Sequence, residues 1–387
     1  MDKTHNLRYL RAMNRATILR RLATFGPATR GELAAQLGLT KMAISTITSE
    51  MLADGLIAES GSAVKPAASG RHPSALALRP EAGLAIGLYL SRDAIEGVLC
   101  DLTGQICRVW QEPLDRLQGN TAYLAILDRM TDQILQDLAT EGRKAAGIGI
   151  SCIGPLDVQA GRLLAPPNFR QIRDLPLAAH VQQKSGLPVY LDNDMNAAAL
   201  AEQLYGAARS LQHIVYVGLT NGVGAGIITG GRIFRGGGGY GGEFGHTSIC
   251  LDGPLCSCGH RGCLELYASI PVLLAQAGAA SLDDLLQGAK SDSAAAAWRP
   301  RLIEVLALAL TNLANLLDPD IILLGHQGVR LAPLLLPELE EDLNQRLFQR
   351  QSRRIPIRTA AFGEQTPLIG AACQVFQAIF RGDLLLT

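Results

Sequence analysis

Apolar residues recur at helical spacing in three short segments near the amino terminus, each followed by a breaker or a cap. Ile18, Leu19 and Leu22 share one face of a predicted helix that stops at Gly26-Pro27. Thr29-Arg30-Gly31-Glu32 has the capping-box form, so a second helix is predicted from Arg30 with Leu33, Ala34 and Leu37 inward. Gly38-Leu39 makes a tight turn, and Thr40 caps a third helix. Its Ile44, Ile47 and Met51 point inward, leaving Lys41, Met42, Ser45, Thr46 and Ser49 outward. This is the pattern of a helix-turn-helix. After Gly55-Leu56-Ile57, the stretch GSAVKPAASGRHPSALAL reads as two short strands around a loop with Lys65 and Arg71, a wing.

From Ala82 the texture changes to apolar strands, AGLAIGLYL and AIEGVLCDL, separated by Ser91-Arg92-Asp93, which predicts a hairpin. Tyr123 to Leu138 has helical periodicity, and Ala146 to Ile150 is a short apolar strand leading to Gly154-Pro155. A second round follows: a strand at Val189 to Asp194, a helix at Ala197 to Tyr205, and strands at His213 to Val217 and Ala225 to Ile228. Helix and strand in alternation predict an α/β class. The expected organisation is a winged helix-turn-helix over 1–80 and an α/β domain over 81–387. The last helix, Ala371 to Phe380, is expected to pack back on the first lobe of that domain.

The chain carries 35 basic and 35 acidic residues, and that balance hides an asymmetry. Residues 1–80 hold 11 Lys and Arg against 5 Asp and Glu, net +6, and the remainder is net −6. A basic excess confined to one end, on a polar helix face with a basic wing, points to DNA. Lys41, Met42, Ser45, Thr46 and Ser49 are the expected groove-facing residues, and Arg71 the expected wing contact. The longest apolar stretch, Leu302 to Leu317, is interrupted by polar residues, and the first fifteen residues lack an apolar signal region. No membrane segment and a cytoplasmic location are expected.

The chemistry is concentrated in EFGHTSICLDGPLCSCGHRGCLE, Glu243 to Glu265. His246, Cys256, Cys258 and Cys263 supply three thiolates and an imidazole, which close a tetrahedron around Zn²⁺ with no position left for a catalytic water, so a structural zinc site is expected. Gly253, Gly259 and Gly262 fall where a chain wrapping an ion needs glycine angles. Glu243 and Glu265 bracket the site, and a zinc-held His246 keeps its other nitrogen as a fixed donor. Such a group suits a polyol ligand.

Five motifs resemble the ROK family of repressors and sugar kinases: GGEFGH with CSCGHRGCLE, NDMNAAALAE from Asn193, NGVGAGII from Asn221, LDPDIILLG from Leu317, and LIGAA near the C-terminus. The resemblance implies a two-lobed actin- and hexokinase-like fold with a ligand cleft. It implies sugar contacts at Asn193, Asp194, Glu243, His246 and Glu265, with Gly154 as a backbone contact, and in family kinases Asp194 would be the base. The family kinases' phosphate segments are altered here. Tyr89, Ser91, Arg92, Asp93 and Ala94 fall on the Asp-x-Gly-Gly-Thr-Lys positions, and Thr220-Asn221-Gly222-Val223-Gly224 on Gly-Thr-Gly-Ile-Gly. Weak or absent nucleotide binding is expected, hence no enzyme activity. The expectation is a transcription regulator, a repressor by family resemblance, that binds operator DNA and a sugar or sugar phosphate as a homodimer or homotetramer. A sugar kinase and a DNA-binding architectural protein with a relic cleft are the alternatives.

Overall fold

The computed structural model describes residues 3–60, 74–114, 119–166, 169, 171–291 and 297–386. The chain forms two compact units: residues 1–192 with 371–387, and residues 193–370.

The first unit opens with α1 (Lys3–Phe25), β1 (Ala28–Thr29), α2 (Arg30–Leu37) and α3 (Lys41–Ala53). The capping box is complete, with the Thr29 hydroxyl accepting from the Glu32 N–H and the Glu32 carboxylate accepting from the Thr29 N–H at 2.7 Å. Gly38 closes α2 in the left-handed conformation at φ 65°, and the Thr40 hydroxyl caps α3. Ile18, Leu33, Ile44 and Met51 are fully buried between the helices. Two strands, β2 (Ile57–Ser60) and β3 (Ala75–Leu78), pair antiparallel, with β1 on the far side of β3. The first wing strand therefore starts earlier than the sequence pattern suggests, because Ile57 goes into the core while the serine- and glycine-rich residues lie beyond its end.

The same unit contains a five-stranded sheet built from β4 (Leu84–Leu90), β5 (Ala94–Asp101), β6 (Ile106–Pro113), β7 (Gly147–Cys152) and, after the small hairpin β8 (Leu156–Asp157) and β9 (Arg162–Leu163), β10 (Val189–Asn193). Its order is β10-β7-β4-β5-β6, with β4 parallel to β7 and antiparallel to β5. Two helices, α4 (Asn120–Thr140) and α5 (Leu177–Ser185), contribute Ile126, Leu127, Ile134 and Val181 to its core.

The second unit begins with α6 (Asp194–Leu204), three residues earlier than expected because Asn193 caps it. Its sheet contains β11 (Ile214–Leu219), β12 (Val223–Thr229) and β13 (Arg232–Ile233), then, beyond α7 (Glu265–Ala268), α8 (Ile270–Ala277), α9 (Leu282–Ser291) and α10 (Trp298–Leu317), β14 (Ile321–His326); α11 (Gly328–Arg346) leads to β15 (Ile357–Thr359). The order is β13-β12-β11-β14-β15. Among the described residues α10 alone is long and apolar enough to cross a membrane, polar interruptions notwithstanding, and it packs into the core of this unit through Leu302, Leu306 and Leu310. The last helix, α12 (Thr366–Arg381), starts in the second unit and contributes residues from Ala371 onward to the first, where the Gln374 side-chain amide donates to the Ile150 carbonyl at 2.8 Å.

Candidate metal centre and ligand site

In the second unit, α6 lies against the β11–β12 hairpin where the hairpin has no side chains. A β-carbon at Gly226 would stand 2.0 Å from the Met195 carbonyl oxygen, and one at Gly218 2.4 Å from the Met195 sulfur. This close approach fixes the start of α6, where the chemistry sits. The Asn193 side chain caps the helix by accepting the Met195 N–H at 2.9 Å, and Asp194 Oδ1 accepts the same N–H at 3.0 Å. Asp194 is 5% exposed.

Two further segments meet at the start of β12. Glu265 Oε2 accepts the Val223 N–H at 3.3 Å, and a β-carbon at Gly222 would stand 2.6 Å from that oxygen, so a side chain there would have to displace the Glu265 carboxylate. On the other side, a β-carbon at Gly245 would be 2.1 Å from the Val223 carbonyl. Glu243 precedes the single 3₁₀ turn Phe244–His246. The protein crowded around its carboxyl pushes its pKa up, the negative charges of Asp194 and Glu265 push the same way, and His246 opposes them. Asp194, His246 and Glu265 are therefore electrostatic neighbours of Glu243 within the second unit. Gly154 lies in the first unit, after β7.

His246, Cys256, Cys258 and Cys263 present ligand atoms that all lie within 4.8 Å of one another. Cys258 Sγ is 3.6 Å from Cys263 Sγ, and Cys256 Sγ is 3.7 Å from His246 Nδ1. Bonds of zinc length around a tetrahedron set sulfur–sulfur edges of about 3.8 Å and sulfur–nitrogen edges of about 3.5 Å, close to these two distances, so the cluster could hold a metal ion. The imidazole offers Nδ1, which leaves Nε2 for another partner. Burial, reinforced by the neighbouring thiols, raises the Cys263 thiol to about 12, whereas the His260 N–H lowers that of Cys258.

The loop glycines differ in role. Gly259 and Gly262 adopt φ of 93° and 66° as expected, but Gly253 does not have a positive φ. It is instead a site of close approach, where a β-carbon would stand 2.5 Å from the Tyr267 hydroxyl and 2.6 Å from Gly262 Cα.

The two turns matched to phosphate segments use their own polar groups. In the first, the Ser91 hydroxyl accepts from the N–H groups of Asp93 and Ala94 at 3.3 and 3.1 Å. In the second, Gly222 N–H donates to the Thr220 hydroxyl at 3.2 Å, and Val223 N–H is taken by Glu265.

On α3, Lys41, Met42, Ser45, Thr46 and Ser49 are all exposed, whereas Ile44, Ile47, Thr48 and Met51 are buried. Arg71 and Lys65 lie outside the described residues. The sequence reading passed over Thr48, which accepts from Arg30 Nε at 3.2 Å and ties α3 to the start of α2. It also passed over the buried pair Tyr216 and His326, whose contact joins residues 110 positions apart.

A family model described as "ROK family" matches residues 85–378. The xylose repressor of Bacillus subtilis (strain 168) is 28% identical over 369 residues, covering 94% of both chains. Among solved structures, a ROK family transcriptional regulator described as a homologue of the E. coli MLC protein superposes with a TM-score of 0.82 at 24% identity, over 97% of this chain and 98% of that one. A ROK family glucokinase from Streptomyces griseus, in complex with glucose and AMPPNP, gives a TM-score of 0.65 at 28% identity and covers 76% of this chain and all of its own, 100%.

Proposed function

Because the chain belongs to the ROK family, with a winged helix-turn-helix ahead of the two-lobed actin-like fold, we propose that it is a sugar-responsive transcriptional repressor. One observation carries this reading. Identity is 28% both to the xylose repressor and to the glucokinase, yet the repressor alignment covers 94% of this chain and the kinase alignment 76%. The family model starts at residue 85, so an alignment of 94% takes in most of what precedes it, the part that carries the exposed polar face of α3.

In this reading residues 1–80 bind operator DNA and 81–387 bind the effector. Lys41, Met42, Ser45, Thr46 and Ser49 face the major groove, and Arg71 reaches backbone or minor groove from the wing. Asn193, Asp194, Glu243, His246 and Glu265 receive a sugar or sugar phosphate through paired hydrogen bonds to vicinal hydroxyls. His246, Cys256, Cys258 and Cys263 hold a structural Zn²⁺, which fixes the His246 ring and keeps Nε2 for the effector. The sugar acts only through unequal affinity for the DNA-competent and DNA-incompetent arrangements. Paired half-sites call for a homodimer or homotetramer, and the setting is cytoplasmic.

Nucleotide binding finds little support. Phosphates are cradled by free backbone N–H groups, and in both matched turns such groups already have partners within the protein. Asp93 adds a negative charge to the first of them. The kinase reading retains one favourable feature, the buried Asp194 at the position of the family's base.

A mobility-shift assay on the gene's own upstream DNA, at fixed salt, with D-xylose, D-glucose and N-acetyl-D-glucosamine, tests the proposal. Release or tightening of the complex by one sugar is expected. Failure to bind that DNA, or ATP-dependent phosphorylation of a sugar above background, overturns it.

A further inference from the structure

A buried histidine stands beside Asp194 with one nitrogen unused. His326 ends β14 at φ 51°, the left-handed region that residues other than glycine adopt only when their surroundings hold them there. Tyr216 supplies the hold. Its hydroxyl accepts the His326 backbone N–H at 3.0 Å and lies 3.0 Å from His326 Nδ1. Gly325 makes the room, since a β-carbon there would be 1.9 Å from that hydroxyl oxygen. The residue is 4% exposed, and Nε2 has no hydrogen-bond partner among the described residues. Asp194 Oδ2 lies 3.7 Å from it, beyond hydrogen-bond length.

An unpartnered buried nitrogen next to a buried carboxylate is a pair one small rotation short of a bond. The carboxylate has acceptor capacity to spare, because Asp194 Oδ1 already takes the Met195 N–H and further lone pairs remain for a hydrogen from His326 and for ligand hydroxyls. We propose that His326 is a positioning residue for Asp194: when a hydroxyl-bearing ligand engages Asp194, Nε2–H closes onto Oδ2 and fixes the carboxylate plane facing the ligand. This rests on the effector reading above. His326 acts through Asp194 and does not itself touch the sugar.

Calorimetric titration with D-xylose, D-glucose and N-acetyl-D-glucosamine tests the assignment on the full chain. His326→Leu is expected to weaken the sugar that the wild type takes by about tenfold, the effect of one hydrogen bond to a charged group. His326→Gln, which keeps a donor, is expected to recover most of that loss, and operator affinity without sugar is expected to stay at the wild-type value in both. In an Asp194→Asn background His326→Leu is expected to add little further loss, because the two residues act as one unit. Wild-type affinity in His326→Leu, or fully additive losses, overturns the assignment. A wild type that takes none of the three sugars counts against the effector reading alone, and the apposition of Nε2 to Asp194 is then tested without ligand. The ¹⁵N resonance of His326 Nε2 is expected to move in Asp194→Asn, and an unmoved resonance overturns the assignment.

Discussion

The helices from Arg30 to Ala53 and the loop from His246 to Cys263 order stretches of comparable length by opposite means. The helices close on an apolar core of Leu33, Ile44, Ile47 and Met51, and each start is capped by a residue adjacent in sequence. The loop has no such core. Between its end ligands it buries Gly253, Cys256 and Gly262, while Leu251 and Leu255 stand 88% and 64% exposed. Bonds across it, such as that from the Ser248 hydroxyl to the Arg261 carbonyl at 2.7 Å, shape it, but exposed hydrogen bonds alone contribute little. A segment with almost nothing apolar to bury must be ordered by something else, and four converging ligand atoms are the remaining candidate.

The largest effect that can break this comparison is loss of the proposed ion. Structural zinc sites contribute on the order of 10 kcal/mol in small peptides, so Cys256→Ser with Cys258→Ser is expected to abolish zinc binding and sugar response. The first unit should keep its fold. Zinc content and circular dichroism before and after the exchange check this, and unchanged sugar response after demonstrated zinc loss rules the metal out of the response. Zinc binding must also displace thiol protons, and the Cys263 thiol stands at about 12. Affinity should therefore rise with pH, and a chelator should strip the ion more readily at pH 6 than at pH 8.

The comparison also explains what could be read from the chain. The Thr29–Glu32 box, the Thr40 cap and the His246 to Cys263 ligands are each spelled by near neighbours, and local chemistry fixes them. Convergence of Glu265 on Val223 is carried by residues 42 positions apart, and no local pattern in the sequence announces it. His326 was invisible for the same reason, since nothing near it in sequence announces Tyr216 or Asp194. Gly253 was misassigned because a glycine that permits a turn and one that permits close approach look identical in a string of letters.

A smaller effect sharpens the other side. Met51→Ala in the helical core is expected to cost about 2–5 kcal/mol, as large-to-small changes at fully buried positions do. Operator binding should weaken with it while zinc content stays fixed, which a denaturant titration and metal analysis on one preparation would resolve. Smaller again, Thr29→Ala removes the α2 cap and is expected to cost about 1 kcal/mol. The Thr29 N–H, which alanine keeps, and the Thr29 hydroxyl, which it loses, both hold the Glu32 carboxyl below its ordinary range. The contribution of that ionised partner is present at neutral pH and lost as pH falls through its folded value, so the penalty should shrink in acid.

Met42 supplies the smallest change in stability and the clearest separation of folding from reading. Its side chain is 81% exposed on the outward face of α3, so it contributes almost nothing to the core that Ile44 and Met51 complete. Met42→Ala is expected to leave the melting midpoint within the scatter of surface substitutions, about 0.5 kcal/mol. If the face lies in a major groove, the same change removes an apolar contact to base edges, and specific affinity should fall while binding to random DNA is preserved. Lys41→Ala should instead weaken both alike and flatten the salt dependence, as loss of a phosphate contact does. If the two substitutions shift specific and random affinity in the same proportion, the outward face does not read bases, and α3 only rests against the backbone.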